Sequence, residues 1–128
     1  MPSAGHKAKV LLVDDEPNIL MALAFLVAQQ GFEVLMASNG EEGLTMAVKH
    51  EPDILVLDVM MPGMNGFEVA RRLREYPNLD HVRIIFLTAR GAQADRLEGY
   101  DSGGEVYITK PFDNDHLVNT INEVYEFG

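Results

Sequence analysis

The chain reads as an α/β protein: a parallel five-stranded sheet wound on both faces by five helices. Two observations lead there. Five short apolar runs recur along the 128 residues: KVLLV (9–13), EVLMA (33–37), DILVL (53–57), RIIFLT (83–88) and EVYIT (105–109). Several are continuous, the pattern of strands covered on both faces. Amphipathic stretches separate them, and strand–helix alternation of this kind builds a parallel sheet with helices on either side.

The helices follow from their apolar stripes. Residues 17–30 place Ile19, Leu20, Leu23, Leu26 and Val27 on one face. Asp15 before Pro17 is a helix start signal. Asn39 or Ser38 caps a second helix that runs to about residue 50, with Glu42 in its first turn. Residues 65–75 carry Phe67, Ala70 and Leu73 at spacing three, and residues 114–126 carry Leu117, Ile121 and Val124 or Tyr125. A fourth helix over 91–102 is broken by glycines at 91 and 99 and stopped by Gly103-Gly104.

Composition narrows the function classes. The length suits one domain, taken as residues 1–128 with a core over about 8–126. Twenty acids against ten bases leave a net charge of -10, which repels phosphate backbones and argues against direct nucleic-acid binding. The same charge suits a divalent cation or a basic partner. No apolar run spans a membrane, and the first residues lack the apolar segment of a signal peptide. With no cysteine, disulfides and zinc–thiolate sites are excluded, which fits a cytoplasmic protein.

Ligands of parallel sheets bind outside the carboxyl ends of the strands. Asp14 and Asp15 follow the first run, Asp58 the third, Thr88 ends the fourth, and Lys110 follows the fifth. Three carboxylates, a hydroxyl and an ammonium therefore gather on one edge. Such carboxylates repel one another unless cations offset them. Mg2+ prefers oxygen ligands, and together with Lys110 it would neutralise the three acids. Singly, each residue has an ordinary explanation. Acids at 14–16 favour a helix N-terminus, Asp58 suits a turn, and Lys110 suits a surface. Five coincidences at strand ends do not.

These residues resemble the receiver domains of two-component response regulators, the CheY-like family. LLVDDEP matches the acidic pair, DILVLDVMMPGMNG the phosphoacceptor segment, IIFLTA the switch-threonine segment and YITKPF the lysine segment. The resemblance covers about residues 8–126. It implies the flavodoxin-like strand order 2-1-3-4-5. It also implies that Asp58 accepts a phosphoryl group from a sensor histidine kinase or a phosphotransfer protein in a Mg2+-dependent reaction. Asp14, Asp15, Asp58 and the carbonyl of Met60 would hold the metal. Thr88 and Lys110 would bind phosphoryl oxygens after transfer, and Thr88 with Tyr107 would form a switch pair. The family's cis bond after the lysine falls at Lys110–Pro111, where proline lowers the cost of cis to about 0.5–1 kcal/mol. Gly66 would allow a tight turn beneath the acceptor loop.

By the same resemblance the protein is bacterial, and it is no enzyme beyond its own phosphorylation and slow dephosphorylation. Its signal would leave through the fourth helix, fifth strand and fifth helix, residues 91–126, to a downstream protein or a second copy. Met60 and Arg90, two residues beyond the acceptor and the threonine, cannot position an attacking water as an acid or amide can, so the phosphorylated state should be long-lived. Gly104, Glu105 and Val106 depart from the alanine and acids of many relatives. The main alternative is a Mg2+-dependent phosphatase with Asp58 as nucleophile. Haloacid-dehalogenase-type enzymes want a second aspartate where this chain has Met60, and a substrate cap that is missing here. A flavin-binding domain would need a phosphate cradle where DDEPN stands. Histidines 6, 50, 81 and 116 show no metal spacing and read as surface residues. Arg71, Arg72 and Arg74 read as a solvated helix face.

Overall fold

A computed structural model of the chain describes residues 8–89 and 106–127. Strands β1 (Lys9–Val13), β2 (Glu33–Ala37), β3 (Ile54–Asp58), β4 (Arg83–Ala89) and β5 (Val106–Lys110) form one sheet. Its order is β2-β1-β3-β4-β5, and every pairing is parallel. Helices α1 (Pro17–Gln29), α2 (Gly40–His50) and α3 (Gly66–Leu73) and a C-terminal helix (Asn114–Phe127) cover it. The expected order is present. The helix expected over 91–102 lies outside the described residues.

Alternation along the strands divides the core in two. Leu11, Val13, Leu55, Leu57, Ile84 and Phe86 pack with Ala47 of α2 and Phe67, Ala70 and Leu73 of α3. Val10, Leu12, Val56, Ile85, Leu87 and Ile108 pack with Leu23 and Val27 of α1 and Leu117 and Ile121 of the C-terminal helix. Each of the Val, Leu, Ile and Phe side chains contributes about 1.5–3 kcal/mol by leaving water. All five residues of β3 are buried, which accounts for its unbroken apolar run.

Helix starts are set by short polar residues. Asn39 caps α2, its Oδ1 accepting the N–H of Glu42 at 2.8 Å. Glu42 reaches back past the cap to accept the N–H of Ser38 at 2.7 Å, which satisfies a second backbone donor at the turn into the helix. Asn65 caps α3 by accepting from Glu68 at 3.0 Å. At α1 the expected start is present. Pro17 opens the helix, but the capping position is Glu16, with no side-chain cap. The carboxylate that turns toward the backbone there is Asp14, not Asp15: its Oδ1 accepts the N–H of Glu16 at 2.9 Å.

Three strands end one residue later than expected, β3 at Asp58, β4 at Ala89 rather than Thr88, and β5 at Lys110, so that Asp58 pairs with Leu87 and Lys110 with Ala89 inside the sheet. Asp53 lies outside β3, where its carboxylate accepts the N–H of Lys9 at 2.8 Å. Arg74 departs from the reading of its sequence. It does not belong to a solvated face: its guanidinium donates to the carbonyls of Leu79 (3.1 Å) and Val82 (2.8 Å), closing the loop between α3 and β4. Arg72 is exposed and pairs with Glu68 one turn back, at 3.3 Å.

Candidate functional site: an acidic cluster at the carboxyl edge

Parallel pairing brings the carboxyl ends of β1, β3, β4 and β5 to one edge. Asp14 follows β1 and is wholly buried; Asp58 ends β3 and is 4% exposed. Asp15 is half-buried beside them. One oxygen from each of Asp14, Asp15 and Asp58 lies within 4.8 Å of the others. Lys110, ending β5, reaches into the cluster. Its Nζ donates to Asp14 Oδ2 at 2.9 Å and lies 3.2 Å from Asp58 Oδ1. Glu16, read from sequence only as part of a helix start, stands at the rim with its carboxylate 4.0 Å from the same ammonium.

The charges shape one another. Burial pushes the Asp58 carboxyl up from 3.8 to about 6, and the charge of Asp14 adds to that rise. Lys110 and the Met60 N–H oppose it. Burial also pulls the Lys110 ammonium down, but its hydrogen bond to Asp14 and the charges of Asp58 and Asp14 outweigh this and raise it. One lysine therefore holds the cluster without fully compensating it.

The acceptor loop is tightly packed. Val59 O accepts N–H bonds from Met61 (3.2 Å) and Gly66 (3.1 Å). A Cβ on Gly66 would sit 2.5 Å from the Asp58 carbonyl oxygen and 3.0 Å from Val59 Cα. Glycine is required by this close approach, not by a left-handed turn. Met60 points its side chain outward, 65% exposed, while its N–H lies 3.4 Å from Asp58 Oδ1. The Lys110–Pro111 bond is cis. Thr88 is buried in β4, and its hydroxyl has no hydrogen-bond partner. Tyr107 stands in β5 opposite Phe86, half-buried, with the rings stacked. Arg90, expected to bear on the same site, lies outside the described residues.

Oxygen donors alone make up the Asp trio, which suits a hard divalent cation. It is the one grouping of three acidic or histidine ligands found among the described residues. Of the histidines described, 81 and 116 are exposed and 50 is half-buried. No described helix is long and apolar enough to cross a membrane.

A doubly wound sheet with buried aspartates, a lysine and a threonine on its carboxyl edge defines a class, and comparison gives the family. Residues 10–122 match the response regulator receiver domain, and the chain belongs to that family. It is similar to the probable transcriptional regulator ycf29 of Pyropia yezoensis, 38% identical over 116 residues, 91% of this chain and 52% of that protein. It is also similar to the transcriptional regulatory protein SrrA of Staphylococcus aureus, 39% identical over 104 residues, 81% of this chain and 42% of that protein. Its structure is similar to the chemotaxis protein CheY4 of Vibrio cholerae, with a TM-score of 0.88, 33% identity, and coverage of 93% of this chain and 99% of that one. The chain thus spans about half, or less, of the length of the curated relatives it matches. Its function is that of a receiver domain, phosphorylation-activated signalling in a two-component system. Nothing in these relatives favours the phosphatase alternative.

Proposed function

We propose that Asp58 is the phosphoacceptor of this receiver, and that residues 1–128 act as one receiver domain. The observation that carries this reading is the Lys110 ammonium set between Asp14 and Asp58, at 2.9 and 3.2 Å. The donor is a phosphohistidine on a sensor kinase or phosphotransfer protein. An Asp58 carboxylate oxygen attacks phosphorus, the P–N bond breaks, and the imidazole leaves with its electron pair and takes up a proton. No separate substrate is turned over.

Asp14, Asp15, Asp58 and the Met60 carbonyl would hold Mg2+, which supplies positive charge to the oxygens of the transferred group. Lys110 supplies a second positive charge and fixes the direction of the acceptor. The raised basicity of Asp58 favours its role as nucleophile while leaving it ionised at neutral pH. The buried, unpaired hydroxyl of Thr88 is a donor in search of an acceptor, which a phosphoryl oxygen would provide. Thr88 then moves, and Tyr107 turns in behind it. The signal leaves through residues 91–126, of which 106–126 are among the described residues, to a downstream protein or a second copy. The setting is the cytoplasm of a bacterial cell.

Phosphorus NMR of the protein with a small acyl phosphate tests this. A protein-bound acyl-phosphate resonance should grow in with Mg2+ and be absent with chelator or in Asp58→Asn. The long-lived state implied by Met60 predicts slow decay after the donor is removed; decay within seconds would refute it.

A further inference from the structure

Three aromatic rings lie in line beneath the site. Phe67, in the first turn of α3, meets Phe86 of β4 edge-on, with centroids 4.9 Å apart and planes at 67°. Phe86 in turn stacks on Tyr107 of β5, with centroids 5.4 Å apart and planes at 26°. The register explains the second contact: Phe86 and Tyr107 are directly paired, as are Thr88 and Thr109. Side chains two apart share a face of a strand, so Phe86 and Thr88 both stand beside Tyr107. At its other end the line reaches Phe67, which follows Gly66, the residue packed on the Asp58 carbonyl.

We propose that Phe86 is a positioning residue of the switch: its ring holds Tyr107 in the stacked rotamer of the unmodified protein, and its edge contact with Phe67 ties that rotamer to the acceptor loop. The inference rests on the receiver reading above, in which Tyr107 turns toward Thr88 on modification. Tyr107 cannot keep its ring parallel to Phe86 and also turn toward the neighbouring threonine. Phe86 therefore sets the resting ratio of the two rotamers. A contact of this kind changes that ratio by about two- to tenfold. Phe86 is not one of the residues proposed to hold the phosphoryl group or the metal, so its effect falls on the switch and not on the transfer.

Fluorine NMR of the 128-residue chain labelled with 3-fluorotyrosine reads the rotamer directly. Tyr107→Phe assigns its resonance among the four tyrosines. In wild type the Tyr107 resonance should be displaced by the Phe86 ring current, and Mg2+ with beryllofluoride should remove that displacement. Phe86→Leu should start near the activated position and lose at least half of the response, while its rate of labelling by acyl phosphate stays within about twofold of wild type. An unchanged Tyr107 response in Phe86→Leu overturns the proposal and leaves the receiver reading intact. No response of any resonance in wild type, with no labelling of Asp58, overturns both. Should Phe86→Leu fail to fold, wild type decides: a displacement lost on activation supports the proposal, and a displacement kept in both states overturns it.

Discussion

Lys110 and Asp14 meet at 2.9 Å across 96 residues of sequence. The last strand thereby places a cation against a carboxylate that follows the first. Asp14 is wholly buried and needs that partner. The same ammonium is 3.2 Å from Asp58, so stability and chemistry draw on one side chain.

Removing that cation should therefore do two things. Lys110→Ala leaves two buried carboxylates uncompensated. Its side chain is 19% exposed, so solvent softens the loss relative to a fully buried pair. Urea denaturation without Mg2+ should show a loss of about 1–3 kcal/mol. Acyl-phosphate labelling should slow as well. Lys110→Arg should not restore the rate, because a planar fork does not replace a compact ammonium. Unchanged stability in Lys110→Ala would contradict the electrostatic reading of the cluster.

The pH dependence has a definite sign. The Asp58 carboxyl is raised to about 6 from 3.8, so the folded protein binds an extra proton between those values. Its contribution favours folding at low pH and is lost as pH rises through about 4 to 6. Asp58→Asn removes this penalty. In metal-free buffer at pH 7 it should be more stable than wild type by about 1–2 kcal/mol after allowance for solvent screening. The gap should close near pH 4, below the folded-state midpoint. Lys110 acts in a different window: its raised value adds stability that disappears only as pH climbs above the ordinary lysine value of 10.5. Parallel thermal melts of both proteins across pH check the first sign.

Mg2+ should reverse that ranking. A cation bound by the folded acids alone stabilises by mass action, about 1.4 kcal/mol at ten times its dissociation constant. Wild type should gain this and lose it to chelator. Asp58→Asn should gain clearly less, since one carboxylate is gone. Equal gains in the two proteins would place the cation elsewhere.

Gly66→Ala tests the packing beneath the acceptor. The added methyl would lie 2.5 Å from the Asp58 carbonyl oxygen, and backbone is the neighbour that must yield. A loss of about 1–3 kcal/mol is expected on denaturation. Slower labelling of Asp58 should accompany it, because the loop that aims the carboxylate shifts.

Much of this was legible in the sequence, for physical reasons that differ by element. β3 was legible because burial on both faces leaves four apolar residues, Ile54 to Leu57, with no polar break before Asp58. The site was legible as a set because parallel strands bring Asp14, Asp58, Thr88 and Lys110 to one edge whatever the details. Boundaries were less so: Asp58 and Lys110 lie within strands because backbone pairing continues past the last apolar residue. Arg74 was misread since its partners, the carbonyls of Leu79 and Val82, come within reach only when the turn at Pro77–Leu79 folds back. The Phe86–Tyr107 stack needed the register of β4 on β5, which periodicity does not fix.

The most direct measurement is intact and peptide mass spectrometry of the protein after acyl phosphate and Mg2+, with borohydride reduction to mark any aspartyl phosphate. Wild type should gain one phosphoryl group per chain, with reduction at Asp58, and Asp58→Asn should gain none. Labelling at another residue, or equal labelling of Asp58→Asn, would contradict it.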